Sequence, residues 1–435
     1  MAAPATTQRV PSLRRLATLT NHLQPSGVSS REETGNRVVC IVGAARTPLG
    51  AFQGALQSLT APQLGAVAIK SALARAAVAP ELVQEVYMGN VLSAGVGQAP
   101  ARQAALAAGL PKSTPCTTVN KVCASGMKAI VLGAQAIQTG YRDVVVVGGM
   151  ESMSNAPYYL TKARQGYRMG SGEVTDGMIK DGLWDPYNDV HMGNAAELCA
   201  DKYCISRQEQ DEYAISSYQR AKQASQAGWF DSEIAPITVK GKSGKSVVIT
   251  KDEEVDKVKF DKIPQLKSPF KANGSVTAAN SSAISDGATA LVLMSEEKAK
   301  ELGAQVLARI KGFADAAQDP LDFPTAPALA IPLALRNSRL SKDQVDLYEI
   351  NEAFSVVALA NMKLLHIERD RINVNGGAVS MGHPIGCSGA RIVVTLLSEL
   401  QRRQQATTSV QRGVAAVCNG GGGATALVIE TCNSV

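Results

Sequence analysis

Runs of apolar residues alternate with amphipathic stretches over most of the chain. The segments 37–43, 85–90 and 143–149 are short and predominantly apolar, which predicts buried strands. Helical periodicity fills the stretches between them, and the first helix is expected to start at Thr60, with a proline in its opening turn. This repeated order of strands and helices indicates an α/β protein with buried sheets.

The pattern changes between residues 159 and 274, where charges become dense and β-branched runs become rare. A capping box at Ser206–Glu209 predicts a helix that ends near Gly228. Residues 240–271 hold nine lysines against five acids, a local excess of four positive charges (9 − 5). We interpret 159–274 as an inserted, mostly surface domain, whose charge forms either a solvated face or a contact with an anionic ligand.

The pattern of the first part then returns. The strand-like segment 346–351 resembles 85–90, and each ends in an asparagine that a Ser-Gly pair follows 35 residues later (125 − 90) or 37 residues later (388 − 351). In both cases the Ser-Gly pair opens an apolar helix, and a Val/Ala strand ending in glycines comes next. These matches predict a duplicated βα unit, with residues 36–158 and 275–305 forming one half and residues 306–435 the other.

Bulk composition is that of an ordinary soluble enzyme. The 435 residues are too many for one small core, so we expect two or three domains. The eight cysteines form no C-x-x-C pair and no secretory signal precedes them, which predicts reduced thiols rather than a disulfide framework. No apolar run reaches the ~20 residues of a membrane span.

The N-terminus has a composition of its own. Residues 1–31 contain four arginines and no acidic residue, and Ser, Thr and Ala are frequent. The segment 12–19 can form a short basic amphipathic helix. These features are typical of a mitochondrial transit peptide, so we expect residues 1–35 to be removed on import into the matrix. An uncleaved tail is the alternative.

One segment, Asn120–Lys128, combines a candidate nucleophile with the start of a buried helix. Cys123 lies where a strand-like approach gives way to the helix that Ser125 and Gly126 open. A cysteine there meets unpaired N–H groups and the positive end of the helix dipole, both of which favour the thiolate. The alternative is an inert, buried cysteine.

The second half of the chain supplies partners for such a nucleophile. His383 stands in a loop of glycines and a proline that can present an imidazole to a cleft. Cys418 ends a strand before four glycines, whose N–H groups can point at an anion. Asn351, at another strand end, can add an amide donor or hold a water. The other histidines are His22 in the predicted transit peptide, the ambiguous His191, and His366 in a helix.

Two cysteines, a histidine and a glycine-rich loop suit acyl transfer combined with carbon-acid chemistry. One thiolate can hold an acyl group while the other thiol moves a proton. The segments that carry these residues resemble the signatures of the thiolase family and occur in thiolase order across residues 37–430. They are Asn120-Lys-Val-Cys-Ala-Ser-Gly, Gly148-Gly-Met-Glu-Ser-Met, Asn351-Glu-Ala-Phe, Gly376-Gly-Ala-Val-Ser-Met-Gly-His-Pro-Ile-Gly and Cys418-Asn-Gly-Gly-Gly.

This resemblance implies a fold and a reaction. The fold would be two duplicated βα halves in five α-β-α-β-α layers, with 159–274 as an inserted loop domain. The reaction would be the reversible Claisen condensation of two acetyl-CoA to acetoacetyl-CoA and coenzyme A, through an acetyl-cysteine, and the thiolysis of acetoacetyl-CoA or its 2-methyl analogue. Residues 313–317 and 322–324 resemble the mitochondrial branch of the family more than the cytosolic one.

The resemblance also assigns roles by position. Cys123 would carry the acyl group, His383 would activate it and then bind the thioester oxygen, and Cys418 would exchange a proton with C2 of the second acetyl group. Asn351, through a water, would join His383 in one oxyanion hole. The backbone N–H groups of Cys123 and Gly420 would form the other.

Ligands are implied in the same way. Lys257 stands where arginine is common, and Ser281 stands where the mitochondrial branch usually has alanine, a change that a backbone ligand survives. No redox cofactor and no nucleic-acid partner are implied, and the assembly would be a homotetramer built as a dimer of dimers. Coenzyme A would lie near Tyr218, Lys257, Val258, Lys259, Lys262 and Ser282, and a potassium ion would be held by Tyr218 and the carbonyls of Ala278, Ala279, Ser281 and Val379.

Three other functions compete with this one. A long-chain 3-ketoacyl-CoA thiolase has the same chemistry and differs in the size of its acyl pocket. A non-catalytic acyl-CoA- or lipid-binding protein on the same scaffold would be expected to lose Cys123, His383 or Cys418, and all three are present. A zinc protein is disfavoured because His383 and Cys387 form only one pair of potential ligands.

Overall fold

A computed structural model describes residues 37–241 and 244–432. The predicted transit peptide lies outside these residues, and the chain from Val38 onward forms one compact unit. The strands are β1 (Val39–Arg46), β2 (Gly50–Ala51), β3 (Glu85–Gly89), β4 (Cys116–Val119), β5 (Val144–Ser152), β6 (Tyr158–Tyr159), β7 (Thr175–Asp176), β8 (Trp184–Asp185), β9 (Val190–His191), β10 (Ile237–Lys240), β11 (Ser246–Ile249), β12 (Ser285–Ser295), β13 (Ala308–Ala317), β14 (Leu347–Ile350), β15 (Arg412–Asn419) and β16 (Gly423–Thr431). The α-helices are α1 (Ala61–Ala76), α2 (Pro100–Ala107), α3 (Ser125–Gln138), α4 (Met192–Lys202), α5 (Arg207–Gln226), α6 (Glu296–Leu302), α7 (Pro327–Ser338), α8 (Ser355–Leu365), α9 (Ala378–Met381) and α10 (Ile385–Thr407).

One mixed sheet runs through the molecule in the order β14-β15-β16-β13-β1-β12-β5-β3-β4. Its two halves are built alike, since β3 lies parallel to β5 in the first and β14 lies parallel to β15 in the second. The halves join where β1 pairs antiparallel with β13. The predicted strands at 37–43, 85–90, 143–149 and 346–351 are therefore all present.

Helices cover both faces of each half of the sheet. Helices α3 and α10 pack against each other between the halves, while α1 and α2 cover the outer face of the first half and α7 covers that of the second, with α8 beside it. Separate apolar cores fill the outer, central and opposite outer spaces. The predicted five-layer order is thereby confirmed.

A pair of glycines shows the duplication at residue level. β1 has a bulge between Ile41 and Gly43, and β13 has one between Ile310 and Gly312. A Cβ on Gly43 would lie 2.5 Å from the carbonyl oxygen of Ala72 in α1, and one on Gly312 would lie 2.7 Å from a backbone nitrogen of α7. The same strand bulge thus admits a close-packed helix in each half.

The predicted insertion shares its core with the second half. Ser206 caps α5 as expected, accepting the N–H of Glu209, and the helix ends before Gly228, whose φ is +73°. Helices α4 and α5 both pack against α8. By contrast, the segment 160–174 is mostly exposed. No helix in the described part of the chain is long and apolar enough to cross a bilayer.

Candidate active site

A strained turn presents Cys123 between β4 and α3. Val122 has a φ of +46°, a left-handed conformation that is unfavourable for a β-branched residue. Three hydrogen bonds from side chains help to hold this turn: Asn120 Oδ1 accepts the Val122 N–H (3.0 Å), and Ser125 Oγ accepts the Lys121 N–H (2.8 Å) and donates to the Val122 carbonyl (2.5 Å). The turn holds Cys123 in the wall of a cavity.

That cavity has a volume of about 240 Å³ and brings predicted residues of both halves together. Cys123 from the first half lies in its wall with His383 and Gly420 from the second, and Ser281 and Ser282 lie there too. The rest of the wall is largely apolar and aromatic, which makes the surroundings of the thiol less polar than water. It includes Met153, Leu183, Met192, Phe270, Phe323, Phe354 and Ile385.

Two backbone N–H groups point at the sulfur of Cys123. One is its own and the other belongs to Gly420 in the glycine loop after β15. N–H groups in this position can stabilise the negative charge that develops on the oxygen of an acyl group bonded to the sulfur. Cys418 is fully buried two residues before Gly420, close enough to Cys123 for their charges to interact.

Two opposing influences act on the pKa of the Cys123 thiol. Burial raises the pKa of the Cys123 thiol to about 11, the nearby carboxylate of Glu151 adds to this, and the two N–H groups oppose it. The cost of burying a charge therefore outweighs the benefit of the helix start. Burial likewise raises the pKa of the Cys418 thiol well above its usual value.

The hydrogen bonds around His383 select one tautomer. Nδ1 lies 2.6 Å from Ser388 Oγ, and that hydroxyl donates its single hydrogen to the Pro384 carbonyl at 2.9 Å. Nδ1 therefore donates to Ser388, and Nε2 carries the lone pair. Asn351 Nδ2 lies 3.4 Å from Nε2 as a weak donor. Burial, with the charge of Arg391, lowers the pKa of His383 to about 3, so this nitrogen is a neutral base.

Asn351 retains a free acceptor beside His383. Its Oδ1 is buried and has no hydrogen-bond partner among the described residues. A buried polar atom of this kind is a usual place for an ordered water. The arrangement fits the predicted amide–water–imidazole site.

The other histidines have local roles. His191 lines the cavity, stacks on Phe270 with ring centroids 4.9 Å apart, and accepts the N–H of Gly193 at the start of α4. His366 does not lie within a helix as expected but follows the end of α8, with a φ of +51°. His22 lies outside the described residues.

The predicted coenzyme A residues are only partly brought to the cavity. Ser282 lines it, whereas Lys257, Lys259 and Lys262 are exposed and do not. Lys257 Nζ pairs with Glu253 at 2.9 Å, so part of its charge is neutralised within the protein. Tyr218 is buried against Val258 and Val379 in a small apolar cluster.

The predicted potassium residues fit a monovalent cation. Ala279, Ser281 and Val379 are buried, and Ser281 Oγ turns away to donate to the Thr277 carbonyl. Burial, followed by the charges of Glu254 and Glu352, raises the pKa of Tyr218 to about 12, which indicates negative potential at its hydroxyl. Within 37–241 and 244–432, no hydrogen bond ends on the carbonyls of Ala278, Ala279 or Ser281, which leaves these oxygens available as ligands.

Family models match almost all of the described chain. The model for the N-terminal domain of thiolases matches residues 39–297, and the model for the C-terminal domain matches residues 304–431. The chain belongs to the thiolase family. This thiolase is 60% identical to acetyl-CoA acetyltransferase 2 of Arabidopsis thaliana, over 92% of its own length and 98% of the relative's.

Two further relatives are similar over most of their length. The mitochondrial acetyl-CoA acetyltransferase of Mus musculus is 54% identical over 97% of both chains. The crystal structure of the Acat5 thiolase from Ascaris suum in complex with coenzyme A has 44% identity and a TM-score of 0.86, covering 91% of this chain and all of that one. Fold and family are thus the same across these proteins.

Buried carboxylates that sequence reasoning missed hold the thiolase site together. Glu151 accepts the N–H groups of Val91 (3.0 Å) and Gly386 (2.9 Å), and so ties the first half to the start of α10 beside His383. Glu352 accepts the Val379 N–H (3.1 Å) in the loop that leads to His383. Glu151 and Glu352 each stand at or just beyond the end of an apolar strand segment, in a motif that carries the family resemblance, and this position is a signal that could have found them.

Proposed function

We propose that this thiolase is an acetyl-CoA C-acetyltransferase that forms acetoacetyl-CoA from two acetyl-CoA and catalyses the reverse thiolysis. One observation carries the proposal: a small cavity joins the Cys123 thiol, the free Nε2 of His383 and two converging N–H groups, with the Cys418 thiol close by. The names of the Arabidopsis and mouse relatives agree with it.

In the first step His383 Nε2 takes the proton of Cys123 while the sulfur attacks the thioester carbonyl. Because thiol and imidazole are both neutral at rest, this proton moves as the S–C bond forms. The N–H groups of Cys123 and Gly420 hold the oxyanion. The S–C bond to coenzyme A then breaks, and the departing sulfur takes the proton of Cys418, which leaves a Cys418 thiolate and a His383 imidazolium.

In the second step the Cys418 thiolate removes a proton from C2 of a second acetyl-CoA. The imidazolium of His383 and the water on Asn351 hold the enolate oxygen. The carbanion attacks the acetyl group on Cys123 and acetoacetyl-CoA leaves. The Cys123 sulfur regains its proton from His383, so all three residues return to their starting forms.

Acyl labelling tests this assignment. Incubation with acetyl-CoA followed by peptide mass mapping should place the acetyl group on Cys123, whereas an acetyl group on Cys418 with Cys123 free would reverse the roles. Thiolysis of acetoacetyl-CoA should be much faster than that of a long-chain 3-ketoacyl-CoA, because Phe270, Phe323 and Phe354 wall the cavity. Equal rates would favour the long-chain alternative.

We infer that coenzyme A lies between Ser282 at the cavity and the exposed lysines 257, 259 and 262. The local positive excess near these lysines suits a phosphate-rich ligand. Lys259→Glu and Lys262→Glu should raise KM for acetoacetyl-CoA and leave the acetylation site unchanged. An unaltered KM in both variants would place the nucleotide elsewhere.

A potassium ion, when bound, would supply a positive charge beside the loop 278–282. The ion would be held by Tyr218 Oη and by the carbonyls of Ala278, Ala279, Ser281 and Val379. The ion would affect the reaction by ordering Ser282, which directly follows the ligand Ser281 and lines the cavity.

A homotetramer is supported by two surfaces. Strand β4 ends the sheet order and leaves an edge that a second copy can pair with. Tyr158, Leu160 and Met169 are apolar residues with 64%, 54% and 98% of their surface exposed in and beside the segment 160–174. Light scattering should give four times the chain mass, and a monomer at micromolar concentration would contradict the assignment.

A further inference from the structure

We propose that Lys121 is a positioning residue that sets the orientation of Cys123 relative to strand β16, which pairs with the strand that carries Cys418. The proposal rests on the acyl-transfer and proton-transfer roles proposed for these two cysteines. Neither Lys121 nor its partners line the cavity, so Lys121 acts through the backbone that it holds and not through contact with substrate.

The side chain of Lys121 reaches from the first half of the molecule to the second. Its Nζ lies 2.5 Å from Asp315 Oδ1, 2.9 Å from Thr425 Oγ1 and 3.4 Å from the Ala424 carbonyl. Thr425 Oγ1 in turn donates to Asp315 Oδ1 at 2.7 Å. One ammonium group is thus held by three acceptors on the neighbouring strands β13 and β16.

One of these acceptors is the direct neighbour of Cys418 in the sheet. Ala424 lies opposite Cys418 in the β15–β16 register, and Thr425 lies opposite Asp315 in the β13–β16 register. The ammonium group of Lys121 therefore binds the strand that pairs with the Cys418 strand, while the backbone of Lys121 is two residues from Cys123.

The backbone end of this link is the strained part of the site. Val122, with its φ of +46°, separates Lys121 from Cys123. Strain of this kind persists only where the surroundings over-determine the conformation. One side of Val122 packs against the glycine loop, with Cγ1 3.6 Å from where a Cβ on Gly420 would be. The Lys121 side chain adds to the hydrogen bonds from Asn120 and Ser125 that hold the turn, and its loss should let the turn shift enough that the N–H groups of Cys123 and Gly420 no longer converge on one point.

Lys128 offers a matched control. Its Nζ pairs with the other oxygen of the same carboxylate, Asp315 Oδ2, at 2.7 Å. It lies inside α3, five residues beyond Cys123, where the helix already determines the backbone. The side chains of Lys121, Lys128 and Asp315 are 26%, 25% and 39% exposed, so each ion pair adds little to stability. Loss of either lysine charge should therefore cost stability to a similar, small degree.

The test compares Lys121→Met with Lys128→Met in the full-length enzyme. Thiolysis of acetoacetyl-CoA by K121M should show kcat roughly 10- to 100-fold lower with KM nearly unchanged, the scale of a misplaced reacting group. K128M should keep wild-type kcat and the same melting temperature as K121M. Lys121→Arg, which keeps a cation within reach of Asp315, should recover part of the loss, and Asp315→Asn should reproduce it.

The outcomes separate this proposal from the assignment of the site. Equal kcat in K121M and K128M, or an unaltered kcat in Asp315→Asn, would overturn the positioning role. A rise in KM with kcat unchanged in K121M would overturn it as well. Acetylation of Cys123 in the wild-type enzyme tests the proposed function independently, since it does not depend on any Lys121 variant.

Discussion

At the scale of single residues, the site pairs a neutral thiol with a neutral base. Burial raises the pKa of Cys123 to about 11 and lowers that of His383 to about 3, because a site of low dielectric disfavours thiolate and imidazolium alike. A preformed ion pair is thus absent from these two residues at neutral pH. The base acts only when a substrate carbonyl is there to receive the sulfur.

Alkylation of Cys123 by iodoacetamide should follow this protonation state. The rate should rise about tenfold per pH unit from pH 7 to 10, since only the thiolate reacts and its fraction grows below the pKa. A plateau reached near pH 7 would instead reveal a thiolate–imidazolium pair. His383→Ala should slow acetylation by acetyl-CoA ~10²- to 10⁴-fold, the usual range for a positioned base.

Cys418 is expected to act on carbon. Cys418→Ser keeps the shape of the side chain but has a far less acidic hydroxyl, so proton transfer should suffer more than folding. The variant should retain partial acetylation of Cys123 yet lose condensation and the exchange of C2 protons. Deuterium uptake into acetyl-CoA, measured beside burst acylation, checks this. If the variant exchanged C2 protons at the wild-type rate, Cys418 would not be the carbon base, and His383 would be assigned that role.

At the scale of elements, glycines let α3 and α10 meet closely enough to form the site. A Cβ on Gly389 of α10 would lie 2.7 Å from the backbone nitrogen of Met127 in α3, and one on Gly126 would lie 2.9 Å from that of Ala390. Cys123 precedes the first helix and His383 the second. The spacing of the helices therefore sets the distance between nucleophile and base.

Gly389→Ala should cost both stability and acylation rate. Overpacking of this kind costs about 1–3 kcal/mol of unfolding free energy, measurable by urea titration. Gly312→Ala is the control, because its Cβ meets the backbone of α7 at the same 2.7 Å but in an outer layer. Similar destabilisation in both, with slower acetylation of Cys123 in Gly389→Ala alone, is the expected result. Equal acetylation rates in the two variants would show that the spacing of α3 and α10 does not control the reaction of Cys123.

The loop 278–282 should respond to potassium. Replacing KCl by NaCl at equal ionic strength should lower the rate of thiolysis, because the smaller ion fits a ring of carbonyls less well. Tyr218→Phe removes one ligand and should abolish most of the difference between the two salts. Equal wild-type rates in both salts would remove potassium from the mechanism.

At the scale of the whole molecule, a duplicated fold carries an asymmetric site. The first half supplies Cys123, and the second supplies His383, Cys418 and Asn351, so neither half can complete the chemistry alone. The continuous pairing of β1 with β13 joins the two halves of the sheet. The catalytic groups lie near the N-terminal ends of the two central helices, one from each half.

We propose that the enzyme works in the mitochondrial matrix without residues 1–35. The acid-free, arginine-rich start supports this, as does the name of the mouse relative, while the name of the Arabidopsis relative states no compartment. N-terminal sequencing of protein isolated from mitochondria should begin after this stretch. Recovery of intact residues 1–35 there would contradict the proposal.

The sequence alone determined the fold class, the duplication and the main candidate residues. Strand and helix periods are local properties of the chain, and the glycine-rich segments around His383 and Cys418 mark turns wherever they occur. The bulges at Gly43 and Gly312 confirm the predicted repeat at the level of the backbone. The capping box at Ser206 is equally local, and it too was predictable.

Only the tertiary structure decided how these residues behave. The pKa of Cys123 depends on burial by segments far away in the chain, which acts against the N–H groups that the helix start supplies. The tautomer of His383 depends on where Ser388 and the Pro384 carbonyl come to lie. Lys121 looks like any surface lysine until Asp315, nearly two hundred positions away, is folded against it. Contacts between distant segments are set by packing, and no local pattern encodes them.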